Sequence, residues 1–340
     1  MWLKTTNQLR TEFMIDKLDC RRKTEFSTMR CLKRMHVQKL WGADWVSEDL
    51  SRDLLSPAWF HNLVRVLQFA HTKHHISASD LPGHLGWHNI VDGKTIPAEP
   101  RDLIAQGRWN KVPVLITNAR NESYGVFPGG ETSRIAISMT FDRLIGDEKM
   151  VKEVMAEYED TFSKQGIQLS HDNNMEQLHA MTTDKIWTCD SRSLARDIAL
   201  SGGDVRLGLF AHAPKYDPVN IRTNAICEQG ATCHSSDALY LMPQGRGQGI
   251  AGHEGMEEEA AFALRYSDYL LAFASGEETP WKQFTLDEEA TTFISAEETR
   301  VVPGYRREQC DVLDRYMSKT LPENMQRIQR LALKKQQRSA

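Results

Sequence analysis

The chain has no apolar run approaching the roughly 18 residues that a membrane-spanning helix needs, and Met1 to Phe13 is too polar for the apolar core of a signal peptide. No Ser/Gly/Pro-rich stretch divides it, so its 340 residues are read as one large domain rather than two ordinary ones. A strong charge of either sign is missing too. The net charge of −4, with pI near 6.3, gives no electrostatic ground for binding nucleic acid or acidic lipid. Gly-x-Ser-x-Gly occurs nowhere, and neither does His-Gly-Gly. A serine nucleophile on a sharp strand-to-helix turn, faced by oxyanion donors, therefore cannot be drawn from these residues.

What is present begins with a 40% hydrophobic content, enough for a substantial core. Six cysteines, Cys20, Cys31, Cys189, Cys227, Cys233 and Cys310, include the close pairs 20/31 and 227/233. Their even number and spacing suggest disulfides and an oxidising compartment, with the connectivity left open. A secreted or secretory-pathway protein is expected on that ground. The missing signal peptide argues the other way and leaves a cytoplasmic location open. Arg327, Arg330, Lys334, Lys335 and Arg338 cluster near the C-terminus, where residues 322–340 read as a basic helical tail in solvent.

Along the chain, Leu9, Phe13, Ile15 and Leu18 have roughly helical spacing, and a second short helix is expected around Ser27 to Met35. Helical character returns from Glu48 to Gln68, and Gly83 to Pro100 reads as irregular. Lys111 to Thr117 is a short β-branched run, predicted as a strand buried on both faces, with Glu122 in the loop at its C-terminal end. Helices are predicted over Glu148 to Ser163 and Asn174 to Trp187, with Gly202-Gly203 as a stop. A strand follows at Val205 to Phe210, leading into Ala211-His212-Ala213-Pro214. Then come a helix over Met256 to Ser275, a strand candidate at Thr291 to Ser295 and a closing helix over Arg306 to Leu321. Strands separated by long helices point to an α/β architecture.

Three motifs invite chemistry. His71-Thr-Lys-His74-His75 lacks a carboxylate or cysteine at ligand spacing and reads as a solvated loop. Gly247-Gln-Gly249-Ile-Ala-Gly252 matches a dinucleotide pattern, but Glu254, Glu257, Glu258 and Glu259 open the next helix, and their charges repel phosphate. Cys227 to His234 offers zinc-type ligands, yet adjacent Cys233-His234 is poor spacing for a tetrahedral site. A disulfide bracing the loop that presents His234 is the better reading. Ser235 and Ser236 sit too close along the backbone to be the nucleophile partner of His234.

In combination, these segments resemble the C-terminal part of the type-B carboxylesterases, the group that includes cholinesterases. Trp87 to Pro97 and Leu103 to Ile116 are similar to two consecutive family segments, and Asn118-Ala-Arg-Asn-Glu122-Ser falls where the family has "N-x-x-E-G". Cys227 through Asp237 resembles "C-x-x-x-x-C-H-G-x-E-L", while Asp190 to Ala211, before it, and Tyr266 to Gly276, after it, are similar to further family segments. The order of the matches, over about residues 8–318, is more specific than any one motif.

The resemblance implies an α/β-hydrolase fold with a mainly parallel sheet, helices on its flanks and helix-rich insertions. It implies Glu122 as triad acid, His234 as triad base, and bridges Cys20–Cys31, Cys189–Cys310 and Cys227–Cys233. Neither a cofactor nor a metal is expected, and the implied partner is a small-molecule carboxylic ester. Ser123 and Ser235 depart from the family by replacing glycines, and Asp237 replaces a glutamate. The family's nucleophile and oxyanion hole fall upstream of Met1, so residues 1–340 are expected to be a single incomplete domain without serine-esterase turnover. The alternative is a non-catalytic, cholinesterase-like binding or adhesion domain.

Overall fold

The computed structural model describes residues 11–43, 91, 93–124, 133–135, 137–138, 141, 148–167, 174–215, 227, 230–241 and 254–317. The expected helix at 48–68, His71 to His75, the Gly247 to Gly252 motif and the basic tail at 322–340 lie outside the described residues. The chain divides into two units, Met1–Glu99 and Pro100–Ala340.

In the first unit, residues 11–17 are helical and are followed by α1 (Glu25–Lys33) and α2 (Val37–Ala43). Thr24 and Ser27 form a capping box at the start of α1: the Ser27 N–H donates to Thr24 Oγ1 at 3.2 Å, and the Thr24 N–H donates to Ser27 Oγ at 3.3 Å. Cys31 on α1 is bonded to Cys20.

The second unit is built on β1 (Val114–Ala119), β2 (Val205–Phe210), β3 (Ala290–Ile294) and β4 (Thr299–Pro303), paired in that order. The first three are parallel and β4 is antiparallel to β3. Helices flank this mixed sheet: α3 (Pro100–Ala105), α4 (Glu148–Lys164), α5 (Met175–Thr183), α6 (Cys189–Leu200), the single turn α7 (Ala238–Leu241), α8 (Glu257–Ser275) and α9 (Arg307–Met317). The crossover from β1 to β2 contains α4, α5 and α6, as a parallel pair requires.

Packing on both faces explains why β1 reads as a continuous apolar run. Yet β1 ends the strand order of the described sheet, and Val114 to Asn118 are only partly buried, with Ala119 alone fully so, which falls short of the burial on both faces expected of it. Val114 and Ile116 pack with Ala195 and Ile198 of α6, whereas Leu115 packs with Phe262 and Tyr266 of α8 and with Trp281. A third cluster joins α4, α5 and α9 through Val151, Tyr158, Met181 and Leu313 and contains the Cys189–Cys310 bridge. Gly202 ends α6 with a left-handed φ of 78°, and a Cβ on Gly203 would fall 2.7 Å from the Trp109 ring.

Some elements differ from the sequence reading. The helix expected over Asn174 to Trp187 changes character at Asp184, where Asp184–Thr188 forms a π-helical stretch before α6. Helix α3 begins on Pro100, a residue suited to the first helical turn because its missing N–H would be unpaired there anyway. Strand β4 is largely exposed, and only its pairing with β3 makes it a strand. Residues 238–241 form a helical turn rather than extended chain.

Candidate active site

The carboxylate of Glu122 is positioned by the end of β1. The turn at Asn121 to Tyr124 folds the side chain back, and its Oε1 accepts the Ala119 N–H at 2.7 Å. Glu122 is therefore only 6% exposed, unlike the solvated loop carboxylate that is the default for such a position. The neighbouring loop is stitched to this turn by backbone bonds. Asn121 N–H donates to Thr232 O at 3.0 Å, and His234 N–H donates to Tyr124 O at 3.3 Å. These bonds set the two loops in parallel register, Asn121 opposite Cys233.

Together they bring His234 Nδ1 to 2.6 Å from Glu122 Oε2. An ionised carboxylate can only accept, so Nδ1 carries the proton and Nε2, on the far side of the ring, is left as the basic atom. The imidazole is half-exposed, with 51% of the side chain accessible. Cys233, immediately before it, is fully buried and bonded to Cys227. Those two cysteines are thereby spent on each other and are not metal ligands. Among the described residues no group of three or more His, Cys, Asp or Glu is placed to hold a metal ion.

Trp187, from the π-helical stretch, lies beside His234 with ring centroids 5.6 Å apart and a 47° tilt. π-Helical turns often occur at functional sites because they redirect one side chain out of helical register. Nothing in the local sequence of Trp187 signals this role, since it depends on helix geometry 47 residues away from the histidine it faces.

Two serines occupy sensitive positions. Ser123 is fully buried. Its hydroxyl donates to His179 O at 2.7 Å and accepts from Thr183 Oγ1 at 3.0 Å, so the added polar atom is satisfied. Ser235 has a φ of 65°, in the left-handed region where a non-glycine residue costs roughly 1–2 kcal/mol. The loop holds this conformation while the Ser236 N–H donates to Cys233 O.

The bond to Glu122 raises the His234 pKa above its ordinary value. Burial opposes this rise, and the charges of Glu122 and Asp237 reinforce it. Asp237 is itself pushed up, first by burial and then by the Glu122 charge. A raised histidine pKa contributes stability below the unfolded value of about 6.5, and that contribution is lost as pH rises through the folded value. Glu122→Gln should lower the His234 pKa, read from the imidazole carbon-bound proton shifts in an NMR pH titration. An unchanged pKa would mean that the carboxylate does not hold the ring in solution.

A second histidine–carboxylate pair lies elsewhere. His212 Nε2 is 3.0 Å from Glu259 Oε1, both residues are buried, and the Tyr240 hydroxyl donates to Glu259 Oε2. Burial alone would raise the Glu259 carboxyl, but its bonds from His212 and Tyr240 outweigh this and hold it below its usual value. The sequence reading places Glu259 in an acidic helix start. The structure turns it inward, away from solvent.

A sequence profile of the carboxylesterase family matches residues 2–313. Among solved structures, a PNB esterase is similar with a TM-score of 0.56 and 15% identity, over 90% of this chain and 54% of that one. The chain thus spans about half the length of the esterase it matches. At that identity the likeness speaks to fold, and it agrees with an α/β-hydrolase sheet flanked by helices. No curated protein matches the chain in a sequence comparison.

Proposed function

Because this chain belongs to the carboxylesterase family, we propose that Glu122 and His234 are the acid and base of a Ser-Glu-His triad acting on a small carboxylic ester. The 2.6 Å bond between Glu122 Oε2 and His234 Nδ1 carries this reading. In such a reaction Nε2 of His234 takes the serine proton as the hydroxyl attacks the ester carbonyl, then returns it to the departing alcohol. Water, deprotonated by the same nitrogen, releases the acid. Throughout, Glu122 holds the imidazole tautomer and stabilises the imidazolium.

The serine elbow is not among these residues, since Gly-x-Ser-x-Gly is absent. The proposal therefore makes the chain the acid–base half of the machinery, without turnover by itself. We read residues 1–340 as one incomplete domain of this kind, and the three disulfides favour a secretory, oxidising compartment.

Assaying the 340-residue chain on p-nitrophenyl acetate should give a rate equal to that of its His234→Ala variant and to buffer alone. Turnover that disappears in His234→Ala would reject the inactivity and mean that another nucleophile serves the pair. The missing elbow also fits a second reading, a non-catalytic cholinesterase-like binding or adhesion domain. That reading expects Glu122→Gln and His234→Ala to leave partner binding intact.

A further inference from the structure

Between Cys20 and Leu40 the chain carries seven Lys/Arg and a single Glu, although its net charge is −4. All seven cations are exposed. In sequence they fall into separate groups, Arg21 to Lys23 before α1 and Arg30, Lys33 and Arg34 at its end, with Lys39 beyond. The fold brings the two main groups together. The Cys20–Cys31 bridge holds those Cα atoms 5.5 Å apart, which lays the Arg21 to Lys23 loop alongside the last turn of α1. Arg22 is seated there: its N–H donates to Thr28 Oγ1 at 3.1 Å, and its Nη2 lies 3.6 Å from Cys31 Sγ. Arg21 is paired with Asp16, while Glu25 stands at the opposite end of α1.

Gathering like charges is unfavourable unless a polyanion occupies the field they create. Here a covalent bridge and backbone hydrogen bonds hold them together. We infer that this face binds a sulfated polysaccharide. Guanidinium groups pair in forked fashion with the oxygens of sulfate esters. The bridge that assembles the face requires an oxidising compartment, where the abundant polyanions are sulfated glycans rather than nucleic acid. Phe26 and Met29 are the exposed large apolar residues of α1, too few to seat a nine-residue helix in a bilayer.

The test is calorimetric titration of the full chain with a heparin-derived oligosaccharide in about 0.1 M salt, repeated at higher salt, where screening should weaken binding. Arg30→Glu/Lys33→Glu/Arg34→Glu should bind roughly tenfold or more weakly, and the neutral variant Arg30→Gln/Lys33→Gln should be intermediate. Lys149→Glu/Lys164→Glu/Lys282→Glu, the same charge change on exposed lysines of the second unit, should bind as the parent does. Cys20→Ser/Cys31→Ser should weaken binding by releasing the loop from the helix. Absence of binding by the parent chain, equal loss in the two triple variants, or parent-like binding by the cysteine variant would overturn the inference. So would binding to phosphatidylserine vesicles without binding to the oligosaccharide.

Discussion

Cys189→Ala/Cys310→Ala is expected to lower the free energy of unfolding by about 5 kcal/mol, the largest effect of any change to a bridge in this chain. The bridge closes a loop of 121 residues, and the entropy that a cross-link removes from the unfolded chain grows with the logarithm of loop length. The same relation assigns roughly 3 kcal/mol to Cys20–Cys31, with a separation of 11, and roughly 2 kcal/mol to Cys227–Cys233, with a separation of 6. Both Cys189 and Cys310 are fully buried within the cluster that joins α4, α5 and α9. Alanine there also removes packed sulfur atoms, which adds to the loss.

The consequence should reach the candidate site, because Cys189 directly follows the π-helical stretch that holds Trp187 against His234. Urea unfolding under non-reducing conditions measures the effect. A loss no larger than that from removing Cys227–Cys233 would show that the unfolded chain is already compact between residues 189 and 310.

Arg192→Leu should cost about 3–5 kcal/mol at neutral pH, the range found when one partner of a buried ion pair is removed. The Arg192 side chain is 4% exposed and ties α6 to the segment before β3 and to α9. Its Nε donates to Glu289 Oε2 at 2.9 Å, its Nη2 to Asp311 Oδ1 at 2.7 Å and its Nη1 to Asp314 Oδ2 at 3.1 Å. Glu289 keeps Arg196 and Arg307 as partners in the variant, whereas Asp314 is left more exposed to its own desolvation.

Burial already pushes the Asp314 carboxyl up to about 6, against the opposing pull of Arg192 and Arg196. A carboxyl raised in this way contributes stability below its unfolded value of about 3.9, and that contribution is lost as pH rises through about 6. Without Arg192 its pKa rises further, so the penalty of the variant should shrink when urea unfolding is repeated near pH 5. An equal penalty at both pH values would place the damage in packing rather than in the stranded carboxylate. Arg192→Lys should recover only part of the loss, since one ammonium cannot reach three carboxylates in the directions of the guanidinium fork.

Much of the framework was legible because it follows from local pattern. Lys111 to Thr117 and Val205 to Phe210 are short β-branched or apolar runs; the second is β2 residue for residue, and the first overlaps β1, which begins three residues later, at Val114, and runs on to Ala119. Helix α8 ends at Gly276 in a left-handed conformation, as a glycine after an apolar helical pattern suggests. By contrast, β4 carries no apolar signal of its own and owes its conformation to β3. The π-helical stretch was equally silent, because Asp184 to Thr188 has ordinary helical composition. What holds it is non-local: the Tyr158 hydroxyl donates to Asp184 at 2.7 Å, and Arg306 Nε lies 3.3 Å from the same carboxylate. Glu259 stands in the acidic first turn that the sequence shows, but its burial there is not legible from that run. Which face of a helix turns inward depends on what lies against it, and here that is His212 and Tyr240.

The family and its α/β framework were determined by the sequence itself, because ordered motifs and the placement of apolar residues are local properties that survive without coordinates. Its bulk charge was equally plain, yet the mean concealed the cationic face that the Cys20–Cys31 bridge assembles. Tertiary structure alone decided that Glu122 leaves solvent, that its Oε2 meets His234 Nδ1 across 112 residues, and that Trp187 lies against the same ring. Those are distances between segments remote along the chain. They exist only once the sheet has set the ends of its strands side by side and the backbone bonds between Asn121, Thr232, Tyr124 and His234 have locked the two loops in register.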